Sequence, residues 1–217
     1  QIRQIASLQV ESLVQRKDAS AQNSTETSDS SAQSSDQKTA NEDGVTDEVY
    51  TVYVSGIDTR GAMTSSSRSD VNIILTINAR TKQILMISTP RDYFVPLSIS
   101  NGVPDKLTHA GIYGVNVSMD TLDMLYDINI NYYFRLNFGG FIKIIDALGG
   151  ITLNSDYDFD SQNETGYHFN KGENHVNGEQ ALVFSRERYA FKEGDRQRGR
   201  NQMAVIQGVV DKVTQPS

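Results

Sequence analysis

The run VNIILTI at residues 71–77, a polar turn at 78–82 and the run ILMI at 84–87 constrain the fold of this chain more than any other feature. Two apolar runs joined by so short a turn predict a hairpin. Their near-continuous apolar character predicts strands covered on both faces, because a strand open to water on one side alternates apolar with polar residues. A sheet covered on both faces needs a layer on each side. The remaining sequence supplies the parts. Residues 48–58 (EVYTVYVSGID), 132–138 (YYFRLNF) and 151–153 read as strands, with Tyr132, Phe134, Leu136 and Phe138 on one face. Helices are predicted over 118–127, over 139–150 between two glycine pairs, over 177–188 behind an Asn177 cap, and over 195–213. In the last of these, Met203, Ile206, Val209, Val210 and Val213 form the expected buried stripe, largely opposite Asp195, Arg198 and Gln202. The sum is a layered α/β domain, α-β-α, around a mixed central sheet.

The ends read differently. Residues 1–17 carry a rough apolar stripe without Gly or Pro and predict a helix. Between Asp18 and Asp47 the only large aliphatic residue is Val45, so 18–47 reads as a polar, flexible linker that cannot bury enough surface to offset its ordering entropy. The folded domain is expected over 48–217. The chain has no cysteine, which excludes disulfides, thiolate nucleophiles and Cys-ligated zinc. It holds no run of 18 apolar residues. It starts on Gln, so it reads as a piece of a longer chain.

Charge then narrows the chemistry. The chain carries a formal −7, yet SRERYAFKEGDRQRGRNQ (185–202) holds six Arg or Lys against three acids. An acidic remainder argues against nucleic-acid binding, which prefers a basic domain. Converging guanidiniums suit a phosphate, because the planar fork offers paired donors. A solvated basic face with weak surface ion pairs is the alternative. TPRDYF (89–94) places Arg91 and Asp92 in a loop after a buried strand, where α/β proteins carry their chemistry. A structural Arg–Asp pair would read the same way. Asp58 closes one strand and Asp70 opens the next. Two carboxylates at one sheet edge suit Mg²⁺ or Mn²⁺, although either Asp alone could be a turn residue. His109, His168 and His175 are scattered, with no ligand pair among them.

In order along the chain, SGIDTRG, SRSD, NIILTINARTKQILMISTPRD, LNFGGFIKIIDALGGI, GEQALVFSRER and GDRQRGRNQ resemble the LytR-CpsA-Psr family of cell-wall proteins. The resemblance runs from about Tyr50 to about Lys212 and leans towards the streptococcal capsule branch. It implies a membrane-anchored phosphotransferase on the extracellular face of the cell membrane. Such an enzyme moves a capsule or teichoic-acid-like glycopolymer from a polyprenyl (undecaprenyl) pyrophosphate carrier to an N-acetylmuramic acid hydroxyl of peptidoglycan, with pyrophosphate cleavage as a side activity. It also implies a hydrophobic tunnel for the lipid, with Phe138, Ile142, Ile145 and the helix at 118–127 as candidate walls, and makes 1–17 the helical end of a preceding accessory region. The phosphate-binding positions would be Arg68, Arg91, Arg186, Arg188, Arg198 and Gln202, and the metal positions Asp58 and Asp70. Asp195 would act as base or orienting group, and Lys106 would lie near the pyrophosphate. A non-catalytic module that only binds the lipid-linked polymer is the alternative reading.

Overall fold

The computed structural model describes the backbone of residues 11–15 and the whole of residues 49–57 and 67–214. Its main sheet has five strands in the order β1-β7-β2-β3-β4. They are β1 (Glu11–Gln15), β2 (Val49–Ile57), β3 (Val71–Asn78), β4 (Gln83–Ser88) and β7 (Tyr132–Asn137). β2 runs parallel to β7, while β2–β3, β3–β4 and β1–β7 are antiparallel. The sheet is therefore mixed, as the hairpin requires. Smaller pairs flank it: β5 (Phe94–Pro96) with β6 (Pro104–Lys106), β8 (Ile151–Ser155) with β11 (Gly172–Val176), and β9 (Phe159–Asp160) with β10 (His168–Phe169). The helices are α1 (Leu107–Ala110), α2 (Val115–Tyr126), α3 (Phe138–Ala147), α4 (Gly178–Arg186) and α5 (Asp195–Thr214).

The two-residue period of the strands builds both layers. Tyr53 of β2 and Ile74 of β3 point into a solid core with Leu107, Met119, Leu122 and Ile130, beneath α1 and α2. Val54, Ile73 and Leu75 point the other way, towards α3, α4 and α5. The second core lies among those helices and β8–β11, around Ile145, Ile151, Leu153, Phe184 and Val205. Between it and the sheet is a cavity of about 460 Å³.

Local signals fix the helix ends. Asn137 closes β7 and caps α3, its side chain accepting from Gly140 N at 2.8 Å. Asn177 and Gln180 form a reciprocal capping box on α4. Gly208 lets α5 lie directly on β8, since an added Cβ would sit 2.5 Å from Thr152 O. Gly208→Ala is therefore expected to cost about 1–3 kcal/mol, the usual penalty of overpacking. Urea denaturation measures it, and an unchanged midpoint would mean that helix and strand do not approach this closely.

Four expectations need correction. Residues 11–15, within the segment read as a helix, form a strand that extends the sheet edge beside β7. Edge pairing supplies backbone partners that a short, weakly amphipathic helix lacks; residues 1–10 and 16–17 lie outside the described residues. β4 is an edge strand rather than a doubly covered one, and Leu85 is 59% exposed. The core face of α5 runs through Gln197, Asn201, Val205 and Gly208, two of them polar. Gln197 and Asn201 bond to each other, and Asn201 also donates to Phe184 O, which satisfies polar groups that periodicity alone would place outside. Phe138 begins α3 instead of ending β7. The linker expected over 18–47 lies outside the described residues.

Candidate functional site

Loop 67–70 and the loop after β4 meet at one end of the cavity. Both are held from behind by Asn72, a buried polar residue of β3. Its Oδ1 accepts from the Tyr53 hydroxyl at 2.7 Å, its Nδ2 donates to Ser69 O at 3.2 Å, and its carbonyl accepts from Thr89 N at 2.9 Å. Burial pushes the Tyr53 hydroxyl pKa up, so it stays a donor. Arg135, also buried, donates to Ser67 O at 3.3 Å. Gly111 approaches the same loop so closely that a Cβ there would stand 2.5 Å from Ser67 O. Asp70 is thereby fixed at the mouth of β3, its amide on Gly56 O at 2.8 Å. Arg91 Nη1 reaches Asp70 Oδ1 at 2.6 Å, and this hydrogen bond raises the guanidinium pKa.

The basic stretch completes that end. Arg186 is the last residue of α4, and its guanidinium lies 4.5 Å from the Phe138 ring centroid, a cation–π distance. Arg188 follows a one-residue break. It donates to the Tyr189 hydroxyl at 2.6 Å and lies 3.5 Å from Asp195 Oδ1. Arg198, one turn into α5, lies 3.2 Å from the same oxygen, and its side chain is only 18% exposed. Burial pushes the Arg198 pKa down and the neighbouring charges of Arg91 and Arg188 push it further, against Asp195 and Asp70. Gln202, a turn beyond, makes a long contact of 3.5 Å to Ser185 O.

Arg91, Arg186, Arg188 and Arg198 all line this cavity, and among the described residues Asp70 is the only carboxylate in its wall. Asp70, Asp92 and Asp195 pair with three of these guanidiniums, and the positive charge left over suits the wall to receive an anion. Away from that end the wall is apolar: Val54, Ile73, Leu75, Phe134, Ile206, Val209 and Val210. The cavity thus has a cationic head and a greasy body, the shape of an anionic lipid.

Other expected positions fall elsewhere. Arg68 is exposed and does not line the cavity. Lys106 is half exposed and outside the lining; it binds Asp92 Oδ1 at 2.8 Å, and Asp92 Oδ2 lies 3.5 Å from Arg91 Nε. Lys106 therefore reaches the site only through Asp92. Its hydrogen bond holds the Asp92 carboxyl below the usual range. Asp58 lies outside the described residues, although β2 and β3 are neighbours as its pairing with Asp70 requires. Among the described residues no three His, Asp or Glu side chains converge as a metal site. Of the expected tunnel walls, Phe138 and Ile145 line the cavity and Ile142 does not, while the helix at 118–127 packs on the opposite face of the sheet. The stripe Ile206–Val209–Val210, expected to face away from Arg198 and Gln202, lines the same cavity as they do. Arg198, Gln202, Ile206 and Val210 follow one another every four residues, and Val209 lies three beyond Ile206, which sets them along one helix face.

Sequence reasoning missed three residues here. Asn163 and Tyr189 line the cavity from loops. Glu187, between two arginines, is fully buried. In the sequence it counts only as one more charge in a charged run, and nothing in its neighbours marks it as buried.

The LytR_cpsA_psr family model matches residues 12–217. The Enterococcus faecalis polyisoprenyl-teichoic acid–peptidoglycan teichoic acid transferase TagU is 38% identical over 168 residues, 76% of this chain and 54% of that protein. The chain spans about half the length of the curated relatives it matches. Among solved structures, Bacillus subtilis TagV superposes with a TM-score of 0.71 at 30% identity, covering 80% of this chain and 68% of that one. A LytR-CPS2A-psr family protein, YwtF (TagT), with bound octaprenyl pyrophosphate lipid, superposes at 0.65 with 28% identity, covering 82% and 69%.

Proposed function

The chain belongs to the LytR-CpsA-Psr family, and on that premise we propose that it is a phosphotransferase moving a glycopolymer from a polyprenyl pyrophosphate carrier to peptidoglycan. The observation that carries this reading is the convergence of four guanidiniums on the head of an otherwise apolar cavity. Two relatives support it: one is a polyisoprenyl-teichoic acid–peptidoglycan teichoic acid transferase, and one holds octaprenyl pyrophosphate. The pyrophosphate occupies the arginine end and the prenyl chain lies along Val54, Leu75, Phe134, Val209 and Val210. The acceptor, an N-acetylmuramic acid hydroxyl, attacks the phosphorus that bears the glycopolymer. The bond from that phosphorus to the bridging oxygen breaks, polyprenyl phosphate leaves with the electron pair, and the acceptor hydroxyl's proton passes to solvent. The nucleophile belongs to the acceptor, so the protein supplies none. Its arginines, fixed cations placed where charge develops, stabilise the negative charge spreading over the phosphoryl oxygens.

Asp195 contacts both Arg188 and Arg198, which favours orienting work over proton abstraction. Asp70, with Asp58 as the family resemblance implies, would hold a Mg²⁺ or Mn²⁺ ion, since Mg²⁺ is commonly bound by one or two carboxylates plus substrate phosphates. Such an ion would supply further neutralisation of phosphate charge. The capsule or teichoic-acid-like polymer and the extracellular face of the membrane belong to the same proposal. No helix among the described residues is long and apolar enough to cross a membrane.

The test is a synthetic polyprenyl pyrophosphate–saccharide donor incubated with a peptidoglycan fragment, with and without Mg²⁺. Polyprenyl phosphate and a saccharide-phosphate adduct of the fragment are the expected products. Tight donor binding with no cleavage under any condition would make the chain a carrier module instead.

A further inference from the structure

Glu187 presents an unusual arrangement for a buried carboxylate. It stands between Arg186 and Arg188, is 0% exposed, and is paired with neither. Six neutral donors satisfy it. Oε2 accepts from Ser161 Oγ at 2.7 Å, Gln162 N at 2.7 Å and Asn163 N at 2.9 Å. Oε1 accepts from the amides of Arg188 at 2.8 Å, Tyr189 at 2.7 Å and Ala190 at 3.1 Å. Burial alone would raise the carboxyl pKa, but the hydrogen bonds from both loops outweigh it and hold the group ionised. A buried charge is tolerated only when it is this fully bonded.

The two loops it joins are distant in sequence and both line the cavity, through Asn163 on one side and Arg188 and Tyr189 on the other. The amide dipoles absorb the carboxylate's hydrogen-bonding capacity. A direct Glu187–arginine pair would instead offset a guanidinium needed for the anion. We propose that Glu187 is a positioning residue that locks loop 161–163 to turn 188–190, so that Asn163 and Arg188 meet the donor pyrophosphate as one preformed unit. This rests on the anion-binding reading of the cavity. Preorganisation of this kind raises affinity by removing the cost of ordering the loops on binding.

Glu187→Gln keeps the volume but turns an amide –NH₂ towards one of the two sets of donors. Inorganic pyrophosphate is titrated by calorimetry into wild type, Glu187→Gln, Ser161→Ala and Arg198→Ala, well below each melting midpoint. Glu187→Gln is expected to bind at least about tenfold more weakly while giving a native circular dichroism spectrum. Ser161→Ala, which removes one donor and leaves the carboxylate, is expected to weaken binding by about threefold. A purely structural role would lower the melting midpoint and leave the affinity of the folded protein unchanged, and that result overturns the proposal. If Glu187→Gln does not fold, wild-type affinity in Ser161→Ala overturns it equally. Wild type that binds no pyrophosphate sinks the cavity reading and this inference together; loss in Arg198→Ala with full affinity in Glu187→Gln sinks this inference alone.

Discussion

Arg198→Ala is expected to reduce polymer transfer by about 10²–10³-fold, the range seen when one preorganised donor to a developing charge is removed. The same variant is expected to melt no earlier than wild type. Both outcomes come from one fact: Arg198 is the most enclosed of the ion-paired arginines in the cavity wall, and burial and its cationic neighbours Arg91 and Arg188 all disfavour its charge. Deleting it relieves repulsion in the empty protein and removes attraction in the occupied one. Asp195 retains Arg188 as a partner at 3.5 Å, so no carboxylate is left alone. A structural ion pair behaves oppositely, since removing one partner destabilises the fold and leaves activity per folded molecule intact. Thermal melts beside the transfer assay separate the two, and a variant that melts early but transfers normally would end the anion-cage reading.

Val210→Phe is expected to divide the ligand in two. Val210 lines the apolar body of the cavity and belongs to neither buried core cluster. A phenyl ring there occupies space that the prenyl chain needs. Each CH₂ kept from burial costs about 0.8 kcal/mol. Excluding three costs about 2.4 kcal/mol, roughly 50-fold in affinity at 1.4 kcal/mol per tenfold. Polyprenyl pyrophosphate should weaken by that factor while inorganic pyrophosphate binds as before. The melting midpoint should hold or rise, because filling a cavity usually stabilises. Equal weakening of both ligands would mean that the cavity body does not take the chain.

Much of the fold was legible because local physics carried it. The hairpin 71–87, the Asn177 cap and the strand Tyr132–Asn137 each announce themselves by periodicity or cap chemistry. The strand at 151–153 was expected, but its partner β11 and the β9–β10 pair were not: those segments are short or polar, and pairing across a distance supplies what local sequence does not. The strand at residues 11–15 was misread for the same reason, since an open edge beside β7 decides its conformation. At the site, Arg186, Arg188 and Arg198 stood out as a charge run. Glu187 was hidden inside that run, and Asn163 carried no signal at all.

The sequence by itself determined that cations gather near one end of this chain and that a hairpin makes its sheet mixed, because charge and two-residue periodicity are properties of the chain alone. Only the tertiary structure decided which face of α5 meets the sheet, and so placed Arg198, Gln202, Ile206 and Val210 around a single cavity. Buried amides at Gln197 and Asn201 took the core position that hydrophobicity would have given to the valines. The physical reason is that a polar side chain can be buried at little cost once its partners are fixed by distant parts of the chain, and those partners exist only after folding.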